Sequence, residues 1–340
     1  MTLGIGCCKF LAIKMKLRTF LSALASIAIV SLFAACGGGD NHDHHGHDHH
    51  DHDHGHAHQS EAPDLTSFKK LPDGQKPVVV VPIPPYTGVV KRLAGDAVEI
   101  ETLAGPGDDP HFFSPTPKQV ARVNGASVYF TVGMPFEMEI LEALKDSAPD
   151  LKVVDLTRGL EMLEADHTGH DHGDDHDHGH ESDPHVWLAP EMLMKQAHTM
   201  HEVLEALLGE DHSGTVHENS DGLNSDLAIL HRELQSKLAD SKGEAFYVYH
   251  GAFAYFAKSY GLEQKAIQMG GKSPEPKKLT GIIEQAKKEG VKTIFVQPQF
   301  DQSSAKAIAE AIGGTVVSIN PLAEDYVKNL KEIADAIIAK

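Results

Sequence analysis

Ordered alternation of apolar and polar positions begins abruptly at Pro77. Val78, Val79, Val80 and Val81 form an unbroken apolar run that Pro82 ends. A short β-branched run with no polar face fits a strand buried on both sides. The pattern then predicts a helix at 85–94, a strand at 97–103, a helix at 117–124 and a strand at 127–132. A helix at 135–145 and a strand at 151–156 follow. The second half repeats the plan, with strands at 245–249, 263–268, 291–296 and 315–319. Helices are expected between and after them at 252–260, 276–289, 303–312 and 323–339. Val-rich strands alternating with helices indicate parallel sheets, and two such series indicate two α/β lobes.

A different pattern separates the two series. Residues 190–208 read as a helix, and 214–240 are polar with sparse apolar positions. Leu223, Leu227, Leu230, Leu234 and Leu238 recur at intervals of three or four. That spacing places one apolar stripe along a long helix. The expected fold is therefore α/β, two (β/α) lobes with parallel sheets joined by a long rigid helix, with a cleft between the lobes. The expected domain limits are an N-terminal lobe over 77–212, a connecting helix over 213–241 and a C-terminal lobe over 242–340.

The segment before Pro77 has another character. Lys14, Lys16 and Arg18 precede an apolar run at 20–35, which then meets Cys36 and three glycines. A basic start, a short apolar stretch and small residues describe a secretion signal, and the run is short for a membrane-spanning helix. Leu32-Phe33-Ala34-Ala35-Cys36 resembles a bacterial lipobox, with Phe33 its departure. The expectation is a lipoprotein signal peptide over 1–35, lipidation at Cys36 and a polar tether over 36–76. Met15 is a plausible start for such a signal. A flexible chain from Cys36 to Pro63 reaches roughly 25–30 Å on average, enough to lift a domain off a membrane. Cys7 and Cys8 fall in the removed part, so a metal site in the mature chain must use His and oxygen ligands. The formal net charge of −19 argues against nucleic acid and fits a cation as ligand.

The 24 histidines carry the chemistry. Most lie in two His/Asp/Gly tracts, at 41–58 and 167–180. Such tracts stay solvated, and their imidazoles and carboxylates suit zinc and its neighbours. Three solitary histidines stand elsewhere, at loop positions. His111 follows Asp109-Pro110, His185 follows Asp183-Pro184, and His250 closes the run Tyr247-Val248-Tyr249. Ligands gather at the carboxyl ends of strands in open α/β sheets, so all three can face one cleft. Three neutral imidazoles and one oxygen make a tetrahedral zinc site. His198 and His201, one helical turn apart, read as decoration of a solvated face. His201-Glu202 does not continue into a metalloprotease HExxH pattern, and Gly270-Gly271-Lys272-Ser273 reads as a turn before Pro274.

The motifs, taken in order, resemble the zinc-type periplasmic receptors of metal ABC importers, the ZnuA-like branch of cluster A-I. VPIPP at 81–85 resembles the opening strand and turn, and GPGDDPHFFSPTP at 105–117 the first ligand loop. DPHVWLAP at 183–190 and HGAFAYFA at 250–257 resemble the second and third ligand motifs, and FVQPQF at 295–300 and INPL at 319–322 the later landmarks. The resemblance covers about 77–340. It implies His111, His185 and His250 as metal ligands, with His250 favouring zinc over manganese because imidazole suits zinc. Many members carry Asp where this chain has Asn320, and some carry Glu where it has Pro110. The fourth donor is thus the Asn320 amide oxygen, a water or a tract histidine.

The leading reading is a high-affinity receptor that delivers Zn2+ to an ABC importer permease. It is held at the envelope by its lipid, works as a monomer, binds no nucleic acid and catalyses nothing. A periplasmic zinc buffer or metallochaperone is the alternative, in which the tracts hold most of the capacity. A three-histidine zinc hydrolase is a further rival, with Asp109 as its nearest acid or base. Protons compete for imidazole, so affinity is expected to fall steeply below about pH 6.

Overall fold

The computed structural model describes residues 65, 67–165, 182–268 and 275–339. Cys36 with the expected signal segment, both histidine tracts and the turn expected at 270–273 lie outside the described residues. Strand β1 (Val78–Val81) is buried at every position. It runs parallel to β2 (Glu99–Thr102) on one side and β3 (Val128–Thr131) on the other. Strand β4 (Lys152–Asp155) completes a sheet of order β2-β1-β3-β4. The C-terminal lobe repeats this order as β6-β5-β7-β8. Its strands are β5 (Ala245–Val248), β6 (Glu263–Ala266), β7 (Thr293–Val296) and β8 (Thr315–Ser318), all parallel. In each sheet the order reverses beside the first strand, which opens a crevice at the carboxyl ends of the central pair.

Helices cover the sheets. In the first lobe they are α1 (Pro84–Ala94), α2 (Pro117–Asn124) and α3 (Pro135–Leu144). Each has Pro in its first turn, where the missing N–H has no intrahelical role. Helix α2 starts sharply because Thr116 and Gln119 form a reciprocal capping box. Helices α4 (Pro190–Leu208) and α5 (Glu210–Lys237) abut at Gly209, whose φ of 70° suits glycine. The connecting helix therefore begins at Glu210, earlier than the apolar stripe indicates. Helices α6 (Ala254–Tyr260), α7 (Pro276–Lys288), α8 (Gln302–Ile312) and α9 (Tyr326–Ile338) belong to the second half. Helix α9 starts three residues later than expected, because Asp325 caps it by accepting from Lys328 N.

The leucine stripe explains why α5 is rigid. Leu223, Leu227, Leu230 and Leu234 are all buried, and α5 packs along α4, α1 and α9. One apolar core runs from β1 and α1 through α4 and α5 to α6 and α9. Each buried leucine contributes about 1.5–3 kcal/mol, so bending this connector means opening a shared core. A second cluster fills the outer side of the C-terminal lobe between β7, α7 and α8. Among the described residues, no helix is long and apolar enough to cross a membrane.

Candidate metal site

Two loops repeat the tripeptide Asp-Pro-His, and both fold it the same way. Asp109 Oδ1 accepts from the His111 N–H at 3.0 Å, and Asp183 Oδ1 accepts from the His185 N–H at 2.9 Å. The proline between restricts the acidic residue to extended backbone, which lets its side chain fold back two residues on. His185 then leads through a short 3-10 turn, Val186–Leu188, into α4. His250 leaves the end of β5, and its neighbour strand β7 leads to Gln297. Gln297 is fully buried and pins the His250 backbone from both sides. It accepts from the His250 N–H at 3.2 Å and donates to the His250 carbonyl at 2.6 Å.

These three loops bring the solitary histidines together. His111 Nε2 lies 3.1 Å from His185 Nε2, which lies 3.3 Å from His250 Nε2. The far sides of two rings are already occupied. His185 Nδ1 is 2.6 Å from Asp183 Oδ1, and His250 Nδ1 is 3.0 Å from Gln268 Oε1. An oxygen acceptor at Nδ1 keeps the proton there, so both Nε2 atoms present lone pairs to the centre. Burial lowers His111 to about 3, helped by His185 and opposed by Asp183. Burial likewise holds His250 well below its usual value, with His185 and His111 adding to the effect. Converging neutral lone pairs repel unless a cation lies between them.

The ligand edges have the right length for zinc. Two Zn–N bonds of ~2.0–2.1 Å at the tetrahedral angle place their nitrogens about 3.3 Å apart. Among the described residues, His111, His185 and His250 form the group whose ligand atoms all lie within 4.8 Å of one another. Trp187 walls the site 5.3 Å from the His185 ring, and Phe300 stacks 4.9 Å from the His250 ring. The cavity beside them is about 20 Å³ and is lined in part by Asp109, Met134 and Leu322. That is room for one or two water-sized occupants. Asn320 is not among its lining residues. Its Oδ1 accepts from Leu322 N at 3.0 Å and from Gln299 Nε2 at 3.1 Å.

His198 and His201 do not share the fate expected of them. His198 is exposed, but His201 is only 7% exposed, because α5 packs over that face of α4. The polar helix at 210–237 hides it, which the local spacing on α4 does not reveal.

Comparison with known proteins agrees with the geometry. A family model described as zinc-uptake complex component A, periplasmic (ZnuA), matches residues 79–340. The chain belongs to the ZnuA family. The zinc-binding lipoprotein AdcA of Streptococcus pneumoniae is 30% identical over 267 residues, covering 75% of this chain and 52% of AdcA. The chain thus spans about half the length of that relative. A crystal structure of ZnuA aligns with a TM-score of 0.70 and 31% identity, over 78% of this chain and 99% of that one. A ZnuA deletion mutant with zinc bound aligns with a TM-score of 0.69 and 32% identity, over 77% of this chain and 97% of that one. The ZnuA fold therefore accounts for the paired sheets and the long helix between them.

Asp183, Gln268 and Gln297 are the functional residues that the motif reading did not single out. The Asp-Pro-His repeat is a legible signal for Asp183. Gln297 lies within FVQPQF, but neither it nor Gln268 shows its role locally, since both act through strands that become neighbours only in the sheet.

Proposed function

We propose that this chain is a receptor that binds Zn2+ between His111, His185 and His250 and presents it to the permease of an ABC importer. The observation that carries the reading is the convergence of three Nε2 atoms at 3.1 and 3.3 Å, with two of the rings held by acceptors at Nδ1. An all-imidazole set suits zinc better than manganese, which prefers harder oxygen donors. The zinc named in AdcA and in the ligand-bound ZnuA structure supports the same metal. Asn320 has its oxygen committed elsewhere, so the fourth position falls to solvent or to Asp109 in the cavity.

The chain acts as a carrier in this reading and not as a catalyst. A cavity of about 20 Å³ beside the three histidines has room for an ion and its water. Cys36 carries the lipid, residues 36–76 tether the lobes at the envelope, and the lobes take the limits 77–212 and 242–340, the first of them keeping the opening residues of α5. The tract at 167–180 joins the loop that holds His185. Transfer from tract to cleft is then intramolecular, at effective concentrations on the order of mM.

Calorimetry with Zn2+ and Mn2+ on the full chain and on His250→Ala tests the proposal. Structural zinc sites release ~10–16 kcal/mol over four ligands, so losing one costs about 3 kcal/mol, on the order of 10²-fold in affinity. The expected result is one tight Zn2+ site that Mn2+ does not match and that the variant weakens by that factor. Equal affinity for Mn2+, or an unweakened site in the variant, overturns the assignment.

A further inference from the structure

The corner between α4 and α5 holds a second set of ligating side chains, separate from the cleft. His201 and Glu205 lie one turn apart on α4, and the His217 ring of α5 stands beside that of His201. Both ring nitrogens of His201 are hidden from solvent, and neither has a hydrogen-bond partner. An imidazole has two polar atoms, and burying both unmet is costly. His201 Nε2 stands 3.4 Å from Glu205 Oε2. Glu205 Oε1 is held by the Ser213 hydroxyl from the first turn of α5, which fixes the carboxylate and aims Oε2 at the imidazole. The His217 ring centroid lies 5.5 Å from that of His201, and the His198 ring centroid lies 6.2 Å from it.

We propose that His201, Glu205 and His217 bind a second divalent transition-metal ion of the zinc class. The 3.4 Å separation of His201 Nε2 and Glu205 Oε2 matches the edge of about 3.3 Å that two ~2.0–2.1 Å bonds subtend at a tetrahedral metal. A metal placed on that edge satisfies Nε2, one of the two buried nitrogens, which Glu205 approaches at 3.4 Å without a hydrogen bond. His217 supplies the third donor and the entry path. It is exposed, and an exposed ring changes rotamer in nanoseconds or less. Asp221, one turn further along α5, stands 3.8 Å from His217 Nε2 and is placed to accept from the ring nitrogen that the metal leaves. The donors here converge less closely than in the cleft, so this site binds more weakly than the three histidines there.

Two measurements on the full chain test the site. Crystals equilibrated with Zn2+ and measured at the zinc absorption edge are expected to show an anomalous peak between His201, Glu205 and His217, besides that in the cleft. Equilibrium dialysis with Zn2+ then compares the chain with His217→Ala and His201→Asn. Each variant is expected to hold one equivalent less at saturation, with the affinity of the tightest site unchanged. The tract histidines are the same in all three, so the difference reads the helix corner. His217 is on the surface, so its variant keeps the test meaningful even where His201→Asn fails to fold. No anomalous peak at the corner, or an undiminished stoichiometry in His217→Ala, overturns the proposal and leaves His201 as a buried partner of Glu205 alone.

Discussion

Burial takes His111 down to about 3 and holds His250 well below the usual imidazole range, so both rings stay neutral near pH 7. This changes how protons compete with zinc. Three ordinary imidazoles of pKa ~6.5 each take a proton below pH 6.5, and affinity then falls by up to about a thousandfold per pH unit. With two rings staying neutral in the empty site, at most one histidine proton competes between pH 7 and 5. Zinc affinity still falls as pH falls, but the histidines contribute no more than about tenfold per unit. Competition with a chromogenic chelator at several pH values checks this, and a slope of two or more protons contradicts it. The sequence alone suggests a steep loss below about pH 6, because it identifies the histidines without their burial. What it does display is the repeated Asp-Pro-His, in which the acid's grip on the histidine N–H is local and therefore legible. The buried state of His201 is not legible, since the residues that cover it lie on the next helix.

At the scale of elements, helix starts decide where site residues stand. Glu137, in the first turn of α3, is buried and turns its carboxylate back to the loop that precedes the helix. It accepts from the N–H groups of Val132 at 3.1 Å and of Gly133 and Met134 at 2.7 Å. Burial pushes its carboxyl up to about 8, against the pull of those three bonds. The same bonds seat Met134 at the wall of the metal cavity. Glu137→Ala leaves three N–H groups without their partner, each costing ~1–3 kcal/mol. A loss of about 3 kcal/mol or more is expected in urea denaturation, together with weaker zinc binding. Unchanged stability shows that water replaces the carboxylate freely. Most strands and helices are legible in the sequence to within a few residues, because Val runs, Pro starts and Gly stops act locally. The early start of α5 is less so, since Gly209 alone marks it and the stretch after it is polar.

For the whole molecule, the packing of the two halves sets the cleft. Gly88 on α1 lies against the Glu324 carbonyl so closely that a Cβ there meets the oxygen at 2.3 Å. Lys91 pairs with Glu324 at 2.6 Å, and Trp187 Nε1 donates to the Pro321 carbonyl at 2.8 Å. Gly88→Ala forces α1 away from the segment that carries Pro321 and Leu322, both at the cavity wall. Overpacking of this kind costs ~1–3 kcal/mol. A lower urea midpoint and weaker zinc binding are expected, whereas Gly107→Ala, which meets nothing within 4 Å, stays within ~0.5 kcal/mol. Equal behaviour of the two variants contradicts the tight fit at Gly88. By itself the sequence determined the order of strands and helices, the parallel sheets, the leucine stripe of the connector and the three solitary histidines. These follow from periodicity and from residue chemistry, which act over a few positions. Only the tertiary structure decided that imidazoles 74 and 65 residues apart meet within 3.3 Å, and that Asp183, Gln268 and Gln297 hold them there. Those contacts depend on sheet order and on a core shared by both lobes, which no local pattern records.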